Sequence, residues 1–227
     1  MPTAGQPSAS ERPRRQERGL RRIESILDAA EQVIAEGGYE AATTNQIAAR
    51  AGISPGSLYQ YFANKAEVVE ALAQRYLDNL GRRFDGVLGD DLAGLAALPM
   101  PELVARVVEP MVAFTLAHPA TKALLAGGAV SPELATATAG LHEAMCDRVE
   151  ALLGLVAPAL AAADRHVAAH LSFQIFGGVL PAIMAAPAAE RPRVVRELTT
   201  ALAAYWSGLA APVGAAVTRP GAATSGP

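Results

Sequence analysis

The chain has 227 residues and a formal net charge of −3, and 51% of its residues are hydrophobic although only 5% are aromatic. This length allows one or two domains with a substantial core, and a composition dominated by alanine and leucine favours helices over sheets. No apolar run reaches the ~18 residues of a membrane span, the N-terminus lacks an apolar signal core, and Cys146 is the only cysteine, so we expect neither export nor an intrachain disulfide, and a reducing cytoplasm fits.

Charged residues are distributed unevenly along the chain. Residues 1–65 carry a net charge of +1, whereas residues 66–227 carry −4. Six arginines lie close to the N-terminus: Arg12, Arg14, Arg15, Arg18, Arg21 and Arg22. Because like charges repel, such a chain is expected to bind a polyanion only through its basic end.

The first 36 residues divide into two parts. Residues 1–17 are rich in proline, serine, glycine and arginine, which predicts a disordered basic arm. Its arginines either contact DNA phosphates or the minor groove, or they only keep the chain soluble. Residues 18–36 have apolar side chains at helical spacing, which predicts a first helix that Gly37 and Gly38 end.

Residues 43–65 have the pattern of a helix-turn-helix. Thr43 and Thr44 can begin its first helix, because a threonine hydroxyl accepts a hydrogen bond from a free backbone N–H. Gly52 ends that helix, and Ser54 and Pro55 begin the second. Apolar residues at helical spacing give each helix a buried side: Ile47, Ala48 and Ala51 in the first, and Leu58, Tyr61 and Phe62 in the second. The second helix of such a motif enters the major groove of DNA.

The segment from about Arg18 to Leu80 resembles the N-terminal domain of TetR-type bacterial transcriptional regulators, the TetR/AcrR family. The matching positions, which include the signature LYxYFxxK, are Thr43, Thr44, Ile47, Ala48, Ala51, Gly52, Ile53, Ser57, Leu58, Tyr59, Tyr61, Phe62 and Lys65. The resemblance implies an all-α fold with a three-helix DNA-binding domain at residues 18–65. A larger helical domain for effector binding and dimerisation would follow at residues 66–210. Residues 211–227 are rich in proline, glycine, alanine and threonine, which predicts a flexible tail. The helix after Lys65 would link the two domains mechanically.

Two kinds of DNA contact are expected from the helix-turn-helix. By the resemblance, phosphate-binding positions are occupied by Thr43, Thr44, Tyr59, Tyr61 and Lys65. The residues placed to approach base edges are Asn45, Pro55, Gly56, Ser57 and Gln60, and glutamine can bond adenine bidentately. Because proline and glycine offer no side-chain hydrogen bond, DNA shape is expected to supply part of the specificity. Arg50 either reaches a phosphate or remains a surface charge.

Two unusually apolar helices are predicted at about residues 164–184 and 192–209. Their hydrophobic residues recur every three or four positions, so two helices from each subunit could form a four-helix dimer interface. The predicted interface residues are Leu171, Ile175, Val179, Leu198, Leu202 and Tyr205. The resemblance places dimer contacts in the same region, and the alternative is a bundle within one chain.

An effector pocket is expected among the helices after Pro101. Methionine and phenylalanine form adaptable apolar cavities, and the candidates are Met111, Phe114, Met145, Phe173, Phe176 and Met184. Each could equally belong to an ordinary core. Thr115, His142 and Gln174 could orient a polar atom of the ligand.

Other chemistry finds little support in the sequence. His166 and His170 lie one helical turn apart and could share a metal ion, but no motif supplies the further ligand, so surface or interface histidines are expected. Cys146 is expected to be a buried thiol rather than a redox sensor. No catalytic motif is present, so we predict no enzyme activity, no cofactor and no metal.

The sequence therefore predicts a cytoplasmic homodimeric transcriptional regulator that binds a palindromic operator in double-stranded DNA. A repressor released by a small, largely apolar effector fits best. Two alternatives are an architectural DNA-binding protein without an effector, and a helical enzyme that carries the DNA-binding domain as a scaffold. The enzyme would need a polar, titratable cluster in the C-terminal domain, where such residues are scarce.

Overall fold

The computed structural model describes residues 11–88, 94, 95, 97–125 and 132–211, and the regular structure within these ranges is helical. The helices are α1 (Glu11–Ala41), α2 (Thr44–Arg50), α3 (Pro55–Leu58), α4 (Lys65–Leu88), α5 (Met100–Ala117), α6 (Thr121–Leu125), α7 (Pro132–Val156), α8 (Ala162–Ala185) and α9 (Arg191–Ala210). The all-α fold is thereby confirmed.

Helix α1 begins earlier than predicted. It is helical from Glu11, so the prediction of a disordered arm is wrong for residues 11–17, while residues 1–10 lie outside the described ranges. The helical path breaks at Gly38, whose φ of 77° and ψ of 169° are not helical. The predicted stop at the Gly37–Gly38 pair is therefore confirmed, and one further helical turn follows it.

Side-chain caps fix the start of both short helices. The Thr43 hydroxyl accepts a hydrogen bond from the Gln46 backbone N–H, and the Gln46 side chain in turn accepts one from the Thr43 N–H, which forms a capping box. The Ser54 hydroxyl accepts from the Ser57 N–H and Pro55 opens α3. Because these bonds involve residues only three positions apart, the local sequence is sufficient to set both helix starts.

The turn between α2 and α3 depends on Gly52, which has a φ of +66°. We expect Gly52→Ala to lower the free energy of unfolding by about 1 kcal/mol, because a Cβ is strained in this left-handed conformation. No neighbouring atom lies within 4 Å of the position of that Cβ, so the strain is confined to the backbone. Urea unfolding would measure it. Gly56→Ala is the control, because Gly56 lacks a positive φ and its Cβ would meet nothing closer than 3.9 Å. Equal stabilities for the two variants would contradict this account of the turn.

Helix α4 joins the two parts of the chain. It buries Val68, Val69, Leu72, Tyr76 and Leu80, as its apolar spacing requires. These side chains pack on α1 at one side and on α5 and α7 at the other. The proposed boundary between residues 65 and 66 therefore lies at the start of a helix that both domains share.

The C-terminal helices pack as α5 against α9 and as α7 against α4 and α8, with α8 also contacting α9. Helix α8 is long and apolar enough to span a membrane by length and composition. The absence of an uninterrupted apolar run of ~18 residues in the sequence did not predict this. Forty-four per cent of its most apolar 18-residue window is buried inside the fold. The proposed flexible tail lies outside the described ranges except for Ala211.

Candidate nucleic-acid interface and apolar cavity

Helices α2 and α3 and the residues that flank them carry the predicted DNA-binding residues. Seven of them are exposed: Thr43, Asn45, Pro55, Gly56, Tyr59, Gln60 and Tyr61. Thr44, Ser57 and Lys65 are half-buried. Leu58 and Phe62 face inward and are buried, so they anchor α3 while its polar side remains accessible.

Tyr59 and Thr44 connect the two helices across this surface. Their hydroxyl oxygens are 3.1 Å apart, and either can donate the hydrogen bond. Tyr59 is still 52% exposed, so it is not a core residue. The hydroxyl that accepts this bond keeps its own O–H, so the pair has one donor left that could bind a phosphate oxygen near the start of α2.

Two cations of this region already have partners. Lys65 donates from Nζ to the Tyr39 carbonyl oxygen at 3.0 Å, and its ammonium lies 4.0 Å from the centroid of the Tyr39 ring. Arg50 forms a two-pronged ion pair with Glu36 at 2.9 and 2.7 Å and also bonds Gln32. This hydrogen-bonded pairing lowers the pKa of Glu36. Arg50 is therefore held in a surface ion pair. The Lys65 ammonium uses one N–H for the Tyr39 carbonyl and has two further donors for a phosphate.

The N-terminal half of α1 extends away from this surface. Tyr39, near the C-terminal end of α1, contacts Lys65 at the start of α4, while Glu24 pairs with Arg75 near the middle of α4. The two helices are thus antiparallel. Arg18, Arg21 and Arg22 lie on the α1 segment beyond Glu24, and Arg21 pairs with Glu17 at 3.3 Å. The DNA contact that we predict for the arginines of residues 1–17 stays a prediction.

A small apolar cavity lies between α5, α7, α8 and α9. Its volume is about 40 Å³, close to the ~30 Å³ that one water molecule occupies in the liquid. The lining residues are Val104, Val107, Val108, Met111, Met145, Val149, Ser172, Phe173, Phe176, Leu202 and Trp206. Four of the six predicted pocket residues are among them.

The other two pocket predictions are wrong for this cavity. Phe114 is fully buried against Tyr76 and His118 instead, with ring centroids 5.3 and 4.4 Å away. Met184 is half-buried and does not line the cavity. Both lie on the predicted helices, but the direction in which each side chain points depends on how the helices pack.

Polar groups at the cavity are engaged within the protein. Trp206 donates from Nε1 to the Ser172 hydroxyl at 2.9 Å, and that hydroxyl donates to the Ala168 carbonyl at 2.8 Å. The predicted polar contacts Thr115 and His142 do not line this cavity. Thr115 donates to Met111 O, and His142 Nε2 lies 2.7 Å from Leu124 O, so this nitrogen carries the proton. The cavity consequently presents an apolar wall, and a ligand that fits it must be largely apolar.

Helix α8 has an exposed apolar stripe. Val167 is 64% and Leu171 45% exposed, and Ile175 and Val179 on the same side are half-buried. An apolar side chain in water is unfavourable, so this stripe is available to cover another surface. Tyr205 on α9 is also half-buried.

Two predicted interface residues do not belong to this stripe. Leu198 and Leu202 on α9 are only 3% and 4% exposed, and Leu202 lines the cavity. Their side chains lie in the core of the single chain, so the prediction that they contact a second subunit is wrong.

The remaining reactive side chains gather between α7 and α8. The rings of His166 and His170 are 4.4 Å apart; Cys146 Sγ lies 3.5 Å from His170 Nδ1, and Glu150 lies 3.2 Å from His166 Nδ1. Within the described ranges, no three such groups are arranged to hold a metal ion.

The Cys146 thiol is buried, and burial, followed by the charges of Asp147 and Glu150, raises its pKa from 9.0 to about 11. The folded protein therefore keeps this proton where the unfolded chain loses it, so stability is expected to fall as the pH rises from 9 towards 11. At pH 8 we expect iodoacetamide to alkylate the folded protein at least about a hundredfold more slowly than the urea-unfolded chain, because the thiolate is the nucleophile. Equal rates would contradict a buried, protonated thiol, and Cys146→Ser gives the background rate.

Comparison with known proteins agrees with this architecture. Residues 26–72 match the model of bacterial regulatory proteins of the tetR family, and residues 99–205 match the model of the tetracyclin repressor-like C-terminal domain. The first match contains α2 and α3, and the second contains α5 to α8 and most of α9.

Individual relatives match over about a third of the chain. The transcriptional activator FasR of Mycolicibacterium smegmatis is 40% identical over 79 residues, which are 35% of this chain and 34% of FasR. The repressor KstR2 of Mycobacterium tuberculosis is 41% identical over 63 residues, 28% of this chain and 32% of KstR2. These matches thus span about a third of each relative's length.

The fold extends to solved structures. FadR from Bacillus subtilis, solved in complex with stearoyl-CoA, aligns with a TM-score of 0.58 and 17% identity over 82% of this chain and 98% of that chain. Members of the matching family are transcriptional regulators and not enzymes. Because both parts of the chain match models of one family and their fold agrees, the chain belongs to the TetR family of bacterial regulatory proteins.

Proposed function

We propose that the protein is a cytoplasmic, homodimeric repressor that binds a palindromic operator and is released from it by a small, largely apolar effector. The exposed polar surface of α2 and α3 carries this proposal, since buried Leu58 and Phe62 hold a short helix whose outer side makes few contacts within the chain. A helix held in this way can enter the major groove.

The surface divides the DNA contacts into two groups. The Thr44–Tyr59 hydroxyl pair, Tyr61 and the remaining donors of Lys65 bind phosphates, which position the protein without reading sequence. Gln60 and Asn45 are exposed amides and read base edges. The Ser57 hydroxyl lies 2.9 Å from that of Ser54, so it contributes while it also supports the cap.

The exposed stripe of α8 supplies the dimer contact. Val167, Leu171, Ile175 and Val179 would pack against the same residues of a second subunit, because a two-fold interface brings one patch onto its copy. A dimer then carries two helix-turn-helix motifs related by a two-fold axis, and an inverted repeat in the DNA requires this arrangement.

The effector is assigned to the apolar cavity among α5, α7, α8 and α9. At about 40 Å³ it holds roughly one water molecule, so an effector must select a state in which these helices lie further apart. FadR of Bacillus subtilis, which shares the fold, is described in complex with stearoyl-CoA, and its ligand has a long apolar chain. If the expanded state holds the two helix-turn-helix motifs at a spacing that does not match the operator half-sites, effector and operator each weaken the binding of the other.

A selection from genomic DNA tests this function. Purified protein is mixed with pooled genomic fragments at two salt concentrations, and the retained DNA is sequenced. The proposal predicts a few fragments that share an inverted repeat and are retained at both concentrations. Uniform retention that vanishes at higher salt would mean binding to the backbone alone, and would favour the architectural alternative.

A further inference from the structure

Three parts of the protein meet at the Glu31 carboxylate. Glu31 lies on α1, and its Oε2 accepts a hydrogen bond from Arg75 Nη2 of α4 at 3.0 Å. Its Oε1 lies 2.8 Å from Nδ1 of His118, the residue that ends α5. A carboxylate oxygen only accepts, so His118 carries its proton on Nδ1. A helix of the DNA-binding domain is therefore bonded to the connecting helix and to the C-terminal domain through one side chain.

This contact is shielded from solvent. The side chains of Glu31 and Arg75 are each 16% exposed, and that of His118 is 27% exposed. The His118 ring packs on Phe114 and Tyr76, with centroids 4.4 and 5.3 Å away. Solvent screens the His118–Glu31 bond less than it screens a surface pair. The energy of the bond therefore changes more when either partner is displaced.

Helix α5 connects the contact with the cavity. Val104, Val108 and Met111 of α5 line the cavity, and Phe114 and His118 follow on the same helix. Helix α5 runs from Met100 to Ala117 with Pro110 inside it, and Met111, Phe114 and His118 all lie after that proline. We therefore expect a displacement of Met111 at the cavity to shift His118 relative to α1.

We propose that Glu31 is a positioning residue through which the DNA-binding domain responds to the position of α5. In this arrangement the hydrogen bonds from His118 and Arg75 to Glu31 hold α1 and α4 in the operator-binding geometry. Displacement of α5 breaks the bond between His118 and Glu31. The inference rests on the proposed function, because it concerns how the cavity controls DNA binding.

A double-mutant cycle on operator affinity tests the proposal. The proteins are the natural sequence, His118→Ala, Glu31→Ala and the double variant, and affinity is measured per folded dimer on a selected operator. We expect each single substitution to lower affinity about tenfold, and the double variant to lower it by the same tenfold rather than a hundredfold. Additive losses, or an unchanged affinity in His118→Ala, would overturn the proposal.

Two further variants separate positioning from folding. His118→Asn keeps an N–H donor near the position of Nδ1 and should recover at least half of the lost binding free energy, while His118→Ala should not. Glu24→Ala also removes a carboxylate that pairs with Arg75, but Glu24 is not bonded to His118, so operator affinity should stay within twofold. Losses in Glu24→Ala equal to those in Glu31→Ala would indicate a merely structural ion-pair cluster.

The two failures are distinguishable. If the natural sequence retains no specific DNA, the proposed function itself fails. If it binds an operator and His118→Ala binds equally well, only the role of Glu31 is lost.

Discussion

Leu171→Glu is expected to convert the dimer to monomers and to lower operator affinity at least about a hundredfold. The substitution places a carboxylate on the exposed stripe of α8, and the two-fold arrangement brings two such charges into one apolar interface. Burying an unpaired charge costs several kcal/mol. A monomer then binds only one half-site and loses the advantage of a second, linked contact.

Sedimentation velocity would measure the subunit mass and a fluorescence titration the operator affinity. Leu155→Glu is the matched control, because Leu155 on α7 is also exposed, at 39%, but lies outside the α8 stripe. It should leave both the mass and the affinity unchanged. A Leu171→Glu protein that remains dimeric would refute this interface.

Gln60→Ala should strongly reduce sequence discrimination while preserving the fold. Gln60 is exposed just beyond α3, and no hydrogen bond within the chain is described for it, so its removal costs the folded protein little. A bidentate amide–base contact contributes ~1–3 kcal/mol. Since a dimer makes it twice, we expect a loss of about 2–6 kcal/mol on an operator.

The readout is the ratio of operator affinity to affinity for a scrambled duplex at one salt concentration. In Gln60→Ala the ratio should fall, with non-specific affinity unchanged because phosphate contacts remain. Gln74→Ala is the control, since Gln74 is an exposed glutamine of α4 that bonds only Asp78 among the described contacts. Equal losses in operator and scrambled affinity would show that Gln60 contributes to backbone binding alone.

The DNA-binding motif could be predicted because its determinants are local. Thr43 and Ser54 cap helices through bonds to residues three positions away, and Gly52 provides the one backbone conformation that the turn needs. The buried faces of α2 and α4 follow from spacing alone. The composition of residues 11–17 predicts too late a start for α1, because it indicates a polar segment but does not take into account that arginine is a good helix former.

Features of the C-terminal domain depend on packing between distant segments. Apolar residues lie on all sides of α8, so its periodicity does not indicate which side faces the chain's own core. Helix α9 has one apolar side, but spacing alone does not tell whether that side covers the chain's own helices or a second subunit, and Leu198 and Leu202 lie in the core of the single chain. Phe114 on α5 packs against Tyr76 and His118, two contacts that the spacing of α5 does not reveal. The bond from Glu31 to His118 joins residues 87 positions apart, and no local pattern indicates it.

The most direct test of a two-fold regulator is the dependence of binding on half-site spacing. An operator found by genomic selection would be compared with a duplex that contains about five additional base pairs between its half-sites, half a helical turn. The proposed α8 interface would fix the distance and orientation of the two helix-turn-helix motifs, so we predict that affinity falls to the non-specific level. Unchanged affinity for the extended duplex would mean that the two helix-turn-helix motifs bind independently, and it would contradict the proposed dimer.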